Sequence, residues 1–128
     1  MATYKDLIAW KKGIEIIKEI YIITSLLPDT EKYTLKSQIN RAAISIPSNI
    51  AEGWGRENTK SFLHFLRIAR GSLYELETQI IIVNELSLIN TENLKHICDL
   101  IEEEIRILNG LIKSLSKKEL ESSKKNNS

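Results

Sequence analysis

The chain has 128 residues, of which 27% are charged and 42% hydrophobic, and its formal net charge is +1. This length is enough for one domain to bury a core without disulfides, and the composition is that of an ordinary soluble globular protein. The near-zero charge excludes a whole-chain field that would attract nucleic acid or an anionic membrane.

The cysteine content and the apolar runs predict a cytoplasmic protein with no membrane partner. The single cysteine, Cys98, excludes an intramolecular disulfide and fits a reducing compartment. The N-terminus lacks the basic and apolar regions of a signal peptide. The longest near-apolar run, residues 14–27, is interrupted by charged residues and is too polar for a bilayer span.

The first predicted helix runs from about Tyr4 to Leu27 and carries two apolar rows. One row has 3-4 spacing and is interpreted as the core seam: Leu7, Trp10, Ile14, Ile17, Tyr21 and Thr24. The second row consists of Ile8, Ile16, Ile20, Ile23 and Leu27. Two rows indicate either a helix deep inside its own bundle or a second face that contacts another subunit, and both interpretations stay open. Pro28 ends the helix.

The second predicted helix contains a proline within its apolar pattern. Asp29 or Thr30 is the expected N-cap. Apolar residues then follow helical spacing at Leu35, Ile39, Ala42, Ile46 and Ile50. Pro47 cannot donate to the carbonyl of Ala43, so a kink is predicted near Pro47. Gly53 and Gly55 end this helix.

The third predicted helix, from about Lys60 to Leu86, is capped by Asn58 or Thr59. Its seam consists of Phe62, Leu66, Ala69, Leu73, Leu76, Ile80 and Val83. Gly71 lies in mid-helix, where glycine costs about 1 kcal/mol relative to alanine. We therefore interpret Gly71, together with Pro47 and Gly53, as a point of close helix packing.

The fourth predicted helix, capped by Asn90 or Thr91, has a seam of Leu94, Ile97, Ile101, Ile105, Leu108, Ile112 and Leu115. A solvated outer face is predicted for Glu102, Glu103, Glu104, Arg106 and Lys113. The pattern as a whole predicts an all-α protein, an antiparallel up-down-up-down four-helix bundle over residues 1–116. Residues 117–128 form a charged tail that lacks apolar periodicity and is expected to be frayed or disordered.

The residues with catalytic or metal-binding chemistry form no recognisable site. His64 and His96 are the only histidines, and neither follows a glutamate by three positions as in di-iron bundles. The segment at Gly53 and Gly55 lacks the lysine of a phosphate loop. Cys98 lies near the fourth seam and is predicted to be a small buried hydrophobe. No catalytic residue, metal site or cofactor is predicted.

Two sets of polar residues surround the turn between the second and third helices. Asn49, Glu52 and Arg70 are expected to form an internal polar network, or alternatively a pocket for a polar group of a partner. A nucleic-acid surface would combine Trp54, for stacking, with the basic residues Arg41, Arg56, Lys60, Arg67 and Arg70. An ordinary solvated surface remains the alternative for this second set.

Three segments carry a family resemblance: residues 7–10 (LIAW), 37–53 (SQINRAAISIPSNIAEG) and 65–76 (FLRIARGSLYEL). They resemble the bacterial four-helix bundle proteins related to the intervening-sequence proteins, found in insertions of large-subunit ribosomal RNA genes. The accessory variability protein of diversity-generating retroelements is a relative. The resemblance implies a homopentamer without catalytic activity. For the retroelement relatives it also implies binding to reverse transcriptase and to nucleic acid through a basic surface, whereas this chain is almost neutral.

The residues and the resemblance together predict a non-enzymatic, homo-oligomeric and pentameric scaffold. Its expected partners are other copies of itself and RNA or a nucleic-acid-processing protein. One alternative is a protein–protein adaptor with no nucleic-acid role. Another is an enzyme or metalloprotein that uses the cluster of Asn49, Glu52 and Arg70.

Overall fold

The computed structural model describes residues 2–126, which form four α-helices with three short 3₁₀ helices and no strand. The α-helices are α1 (Ile8–Thr24), α2 (Leu35–Gly55), α3 (Thr59–Glu85) and α4 (Lys95–Asn126). The 3₁₀ helices are Tyr4–Asp6, Asp29–Glu31 and Thr91–Leu94. The predicted all-α four-helix class is confirmed. None of the described helices is long and apolar enough to cross a membrane.

Each α-helix packs on its neighbours in sequence, and α1 also packs on α4, so the four helices enclose one core. Thr24 of α1 donates a hydrogen bond to Asn40 of α2 at 3.0 Å, whereas Gly13 of α1 lies against Pro47 of α2. This reversed order of contacts is the pattern expected of antiparallel neighbours connected by short turns.

The helix starts differ from the sequence-based prediction at two of the three caps. Asn58 caps α3 as expected, with its side-chain oxygen accepting from the Ser61 N–H at 2.8 Å. The expected caps of the second and fourth helices lie instead in or beside the 3₁₀ helices Asp29–Glu31 and Thr91–Leu94. The following α-helices begin several residues later, at Leu35 and Lys95.

The prediction of the core row on α1 was wrong. Its buried positions are Ala9, Gly13, Ile16, Ile20, Ile23 and Thr24, continued by Leu27 beyond the helix end. Most of the row interpreted as secondary therefore faces the core, although Ile8 is exposed. Tyr21, assigned to the seam, is 49% exposed. The error arose because Ala9 and Gly13 continue the buried stripe with small residues, which an apolar count overlooks.

Close packing occurs at two glycines of the bundle. A Cβ placed on Gly13 would lie 3.2 Å from the Pro47 Cβ, so the buried proline ring fits against the α1 backbone. A Cβ on Gly53 would lie 2.7 Å from the Phe65 Cβ and 3.0 Å from the Phe62 Cδ1. Gly71, in contrast, is exposed and has no atom within 4 Å of its would-be Cβ, so the close packing predicted there was wrong.

Helix α2 continues through Pro47 from Leu35 to Gly55. Two polar side chains on the same helix bond to backbone carbonyls beside the proline. Ser48 donates to the carbonyl of Ile44 at 2.8 Å, and Asn49 donates to the carbonyl of Ser45 at 2.8 Å. Neither acceptor is the Ala43 carbonyl, which loses its usual donor at Pro47, and side-chain hydrogen bonds of this kind to the preceding turn favour bending of a helix. The kink itself stays a prediction.

Helix α4 departs from the prediction at three places. Glu104, expected on the solvated face, is 0% exposed and lies in the buried row between Ile101 and Leu108. Cys98, expected to be buried, is exposed. The helix also continues to Asn126, through the segment expected to be frayed, while residues 127 and 128 lie outside the described part.

The buried Glu104 carboxyl has no hydrogen-bond partner on either oxygen. Burial is the main cause that raises the pKa of this carboxyl to about 9, and the negative charge of Glu103 adds to the increase. The positive charge of Lys12 on α1 acts in the opposite direction. Lys12 is held by carboxylates at 2.8 Å (Glu15) and 3.2 Å (Glu103). Glu104 is therefore a neutral acid at pH 7, because an unpaired buried charge would be far more costly.

Alanine substitutions at Gly71 and Gly53 test which of these glycines is required for close helix packing. Gly71→Ala should raise the free energy of unfolding by about 1 kcal/mol, since the site is open and alanine is the better helix former. Gly53→Ala should lower it by about 1–3 kcal/mol, because the new Cβ overlaps Phe65. Urea titration of both variants measures the two changes, and a destabilised Gly71→Ala would contradict the open site.

Glu104 should make the bundle less stable as pH rises. Between the ordinary glutamate pKa near 4.5 and the folded-state value of about 9, the folded state retains a proton that the unfolded state releases. The free energy of unfolding should then fall by up to about 1.4 kcal/mol per pH unit and level off above that range.

Glu104→Met should flatten this slope and raise stability, by more at alkaline than at acidic pH. Glu102→Gln, at an exposed position of α4 that neither pairs with Lys12 nor affects the Glu104 pKa, is the matched control and should keep the wild-type slope. Thermal melts across the pH range compare the three proteins. Equal slopes in wild type and Glu104→Met would show that Glu104 is not the titrating group.

Candidate nucleic-acid and partner surface

The turn between α2 and α3 presents an aromatic groove. Trp54 and Phe62 meet edge to face, with ring centroids 6.0 Å apart and planes at 90°. They line a groove of about 330 Å³ together with Gly53, Glu57, Asn58 and Thr59. The chain reverses at Glu57, whose φ of 61° lies in the left-handed region. Trp54 is half-buried, so its ring is positioned by Phe62 but still reaches the surface.

Arg56 and Lys60 place positive charge beside this groove. The Arg56 guanidinium lies 5.0 Å from the Phe65 ring centroid and 2.7 Å from a Glu52 oxygen. Both side chains of this ion pair are 53% exposed, so the pair contributes little to stability. Lys60 is exposed in the first turn of α3.

Arg67 and Arg70 connect α3 to α4. Arg67 donates to the Ser116 hydroxyl at 3.4 Å, and Arg70 donates to the Asn109 side-chain oxygen at 3.0 Å. Lys60 and Arg67 are seven residues apart, so they lie on one face of α3 about 10 Å from each other. These contacts keep the guanidinium groups at the surface near the C-terminal half of α4.

Arg41 is the one predicted surface residue that the structure places elsewhere. It is exposed in the first half of α2, thirteen residues before Trp54, which corresponds to about 20 Å along the helix. The other five candidates, Trp54, Arg56, Lys60, Arg67 and Arg70, occupy the end of α2 and the first half of α3.

The polar network predicted for Asn49, Glu52 and Arg70 is replaced by three separate arrangements. Asn49 donates to both the carbonyl and the hydroxyl of Ser45, Glu52 accepts from Arg56, and Arg70 bonds to α4. The Glu52 side chain is half exposed, so it does not belong to an internal network.

Sequence reasoning missed a polar link between α2 and α3. The hydroxyl groups of Ser45 and Ser72 are 2.7 Å apart, and Asn49 donates to the Ser45 hydroxyl at 2.9 Å. Both serines are half-buried, so these hydrogen bonds compensate for reduced hydration. No spacing rule in the sequence pairs the two residues, because they are on different helices.

The net charge of +1 conceals a separation of charge along α3 and α4. One end, the basic half, comprises residues 59–72 and 106–125 and contains nine Lys or Arg against two Glu, a local charge of +7. The other end, the acidic half, comprises residues 73–85 and 91–105 and contains eight Asp or Glu against one Lys. The contacts of Arg67 and Arg70 with α4 place the two basic segments together. The charges of the two halves can be counted from the sequence, but they largely cancel in the net charge of the whole chain.

The next question is whether the described side chains include a group that could bind a metal ion. Among residues 2–126, no three His, Cys, Asp or Glu side chains are grouped so as to hold a metal ion. His64 and His96 are both exposed and lie on different helices.

Comparison with known proteins identifies a family and a similar solved structure. The sequence model of the 23S rRNA-intervening sequence protein family matches residues 5–110. A crystal structure from Bacteroides thetaiotaomicron, described as a protein with unknown function from the S23 ribosomal protein family, is similar with a TM-score of 0.77. The two sequences are 25% identical, and the match covers 85% of this chain and 98% of that chain. No curated protein matches this chain.

Alanine substitutions distinguish the two polar arrangements on α2. Asn49→Ala should lower the free energy of unfolding by about 1–2 kcal/mol, since it removes the two part-buried hydrogen bonds that Asn49 donates to Ser45. Glu52→Ala should change it by less than about 0.5 kcal/mol, because the ion pair with Arg56 is exposed. Denaturant titration measures both variants. A double-mutant cycle for Asn49 and Arg70 should give no coupling, and substantial coupling there would restore the predicted network.

Proposed function

Because this chain belongs to the 23S rRNA-intervening sequence protein family, we propose that it is a non-enzymatic, cytoplasmic, homo-oligomeric scaffold that associates with RNA. The pentamer implied by the sequence resemblance is the proposed assembly. The proposed relation to the accessory variability protein of retroelements adds a nucleic-acid-processing protein as a second kind of partner.

The observation that carries the RNA proposal is the local charge of +7 in the basic half. Phosphate groups are bound chiefly by Lys and Arg, and the affinity follows the number of such contacts rather than the net charge of the protein. Lys60 and Arg67 are exposed on α3, and Lys113, Lys117 and Lys118 are exposed on α4. A backbone that follows this surface meets cations from both helices.

The groove at Trp54 supplies a stacking partner at the edge of the basic half. Aromatic rings beside a positive surface are the usual arrangement for unpaired bases, because every base presents a π-face. The edge-to-face contact with Phe62 fixes the Trp54 ring without covering it. Single-stranded or looped RNA therefore suits this surface better than a continuous duplex.

The homo-oligomer proposal is supported by large apolar side chains that the single chain leaves in water. Most of them occur on the outer faces of three helices and the segments that follow them: Ile8, Tyr21, Ile22 and Leu26 at α1, Ile44 on α2, and Ile68, Tyr74, Ile81, Ile82 and Leu86 at α3. Scattered exposed apolar residues are normal, but this number on a chain of 128 residues indicates a surface that is covered by another protein.

A protein–protein adaptor with no nucleic-acid role is the second candidate. The same exposed apolar residues favour it, together with the acidic half of the α3–α4 pair, which would repel phosphate. The two candidates differ in what the basic half does, so the test concentrates on that surface.

Native mass spectrometry of the protein isolated gently from its own cells should give the mass of five chains with additional mass that ribonuclease removes. The triple variant Lys60→Gln, Arg67→Gln, Lys113→Gln should lose the RNA mass and keep the five chains. It should also bind a mixed-sequence single-stranded RNA with a smaller salt dependence. The log–log slope should decrease by about 0.7 for each phosphate group that the variant no longer neutralises.

The matched control is Lys11→Gln, Lys18→Gln, Lys32→Gln, which removes the same charge from exposed positions on α1 and the loop after it. It should retain RNA. Five chains without RNA would favour the adaptor, and a monomer would exclude the proposed assembly. Equal loss of RNA in both triple variants would show that the basic half has no special role.

A further inference from the structure

The acidic half contains a groove of about 530 Å³ between the end of α3 and the start of α4. Its apolar floor includes Ile80, Ile81, Leu94 and Ile101, and Cys98 is exposed at its wall. The remaining lining is polar and mostly acidic: Glu77, Asn84, Glu85, Thr91, Glu92, Lys95 and Glu102. We call this feature the acidic groove.

The acidic groove has an excess of negative charge that its own residues do not neutralise. Four glutamates face one lysine, and that lysine lies 3.6 Å from Asp99, an acidic residue outside the lining. Within residues 2–126, none of the four glutamates forms an ion pair. Carboxylates around an apolar floor suit a segment that has both positive charges and an aliphatic side chain.

The C-terminal end of α4 has the complementary composition. Residues 117–125 contain four lysines and two glutamates around Leu120, which is 61% exposed. Lys117, Lys118 and Lys124 are exposed and form none of the ion pairs found in the described residues. We call residues 117–125 the basic tail.

The two features cannot meet within one chain. Both belong to the continuous helix α4, and nineteen residues separate Cys98 in the groove from Lys117 at the start of the tail. A straight helix of that length spans roughly 28 Å. A contact between the basic tail and the acidic groove therefore requires a second copy.

The geometry points to an end-to-end contact in which the basic tail of one copy occupies the acidic groove of another. Leu120 would cover the apolar floor while the lysines meet the glutamates at its rim. The contact is heterologous, so each copy offers one tail and one groove and can contact two neighbours. This inference deepens the homo-oligomer proposal, on which it rests, by adding a charged contact to the apolar one.

Cys98 provides a direct probe because it is the only cysteine in the chain and it lies in the groove. A thiol- and amine-reactive cross-linker attached to Cys98 should reach Lys117, Lys118 or Lys124 of another copy. An equimolar mixture of ¹⁵N-labelled and unlabelled full-length protein identifies intermolecular cross-links by mass spectrometry. Their yield should fall as salt is raised from about 0.05 to about 0.5 M, since screening weakens exposed charge pairs.

Charge reversal in the acidic groove or in the basic tail tests the contact between them. Glu92→Lys with Glu102→Lys makes the groove basic, and Lys117→Glu with Lys124→Glu makes the tail acidic. Each double variant alone should reduce the intermolecular cross-link from Cys98 to Lys118, a tail lysine that every variant retains, by about tenfold or more, because like charges then face each other. Mixing the two variants should restore it, since each groove again meets a tail of opposite charge.

Asp29→Lys with Glu57→Lys is the matched control, because both residues are exposed and lie outside the groove. It should leave the cross-link unchanged. Cross-links confined to Lys95 of the same chain, or no rescue on mixing, would overturn the contact. The mass of the assembly is read separately: if five chains persist while the cross-link is absent, the end-to-end contact fails and the proposed homo-oligomer stands.

Discussion

The bundle depends on the close approach of α2 to both of its neighbours. On one side the Pro47 ring lies against the α1 backbone at Gly13, and on the other Gly53 admits the side chains of Phe62 and Phe65. A side chain at either glycine would meet these atoms within 3.2 Å. Close backbone contact brings Ser45 within hydrogen-bonding distance of Ser72 and positions the turn that carries Trp54. The surface at this end of the molecule is thus a consequence of packing inside it.

At Glu104 the core encloses a carboxyl group that has no hydrogen-bond partner. A charged carboxylate there would carry the full cost of desolvation, so the group is held neutral instead. Nearby, Lys12 is paired with Glu15 and Glu103 rather than with Glu104. The α1–α4 contact therefore combines apolar packing with a protonation equilibrium.

Charge separation along α3 and α4 connects the fold to the proposed roles. The contacts between these helices bring basic segments together at one end and acidic segments at the other, so a nearly neutral chain has two surfaces of opposite sign. The basic half suits phosphate, and the acidic groove suits a lysine-rich segment. Because Lys117 and Lys118 belong to both the basic half and the basic tail, RNA and the acidic groove of a neighbouring copy would compete for these two lysines.

The sequence by itself determined the all-α four-helix class and the core rows of α2 and α3, because large apolar residues there repeat at helical spacing. It also carried the family resemblance, through the run at residues 45–53. Only the tertiary structure decided which row of α1 is buried, since small Ala9 and Gly13 gain their role from the helix packed on them. The burial of Glu104, the exposure of Cys98 and the partners of Asn49, Glu52 and Arg70 were likewise decided by neighbouring helices. Spacing within one helix specifies a face, but the neighbour that covers that face belongs to another part of the chain.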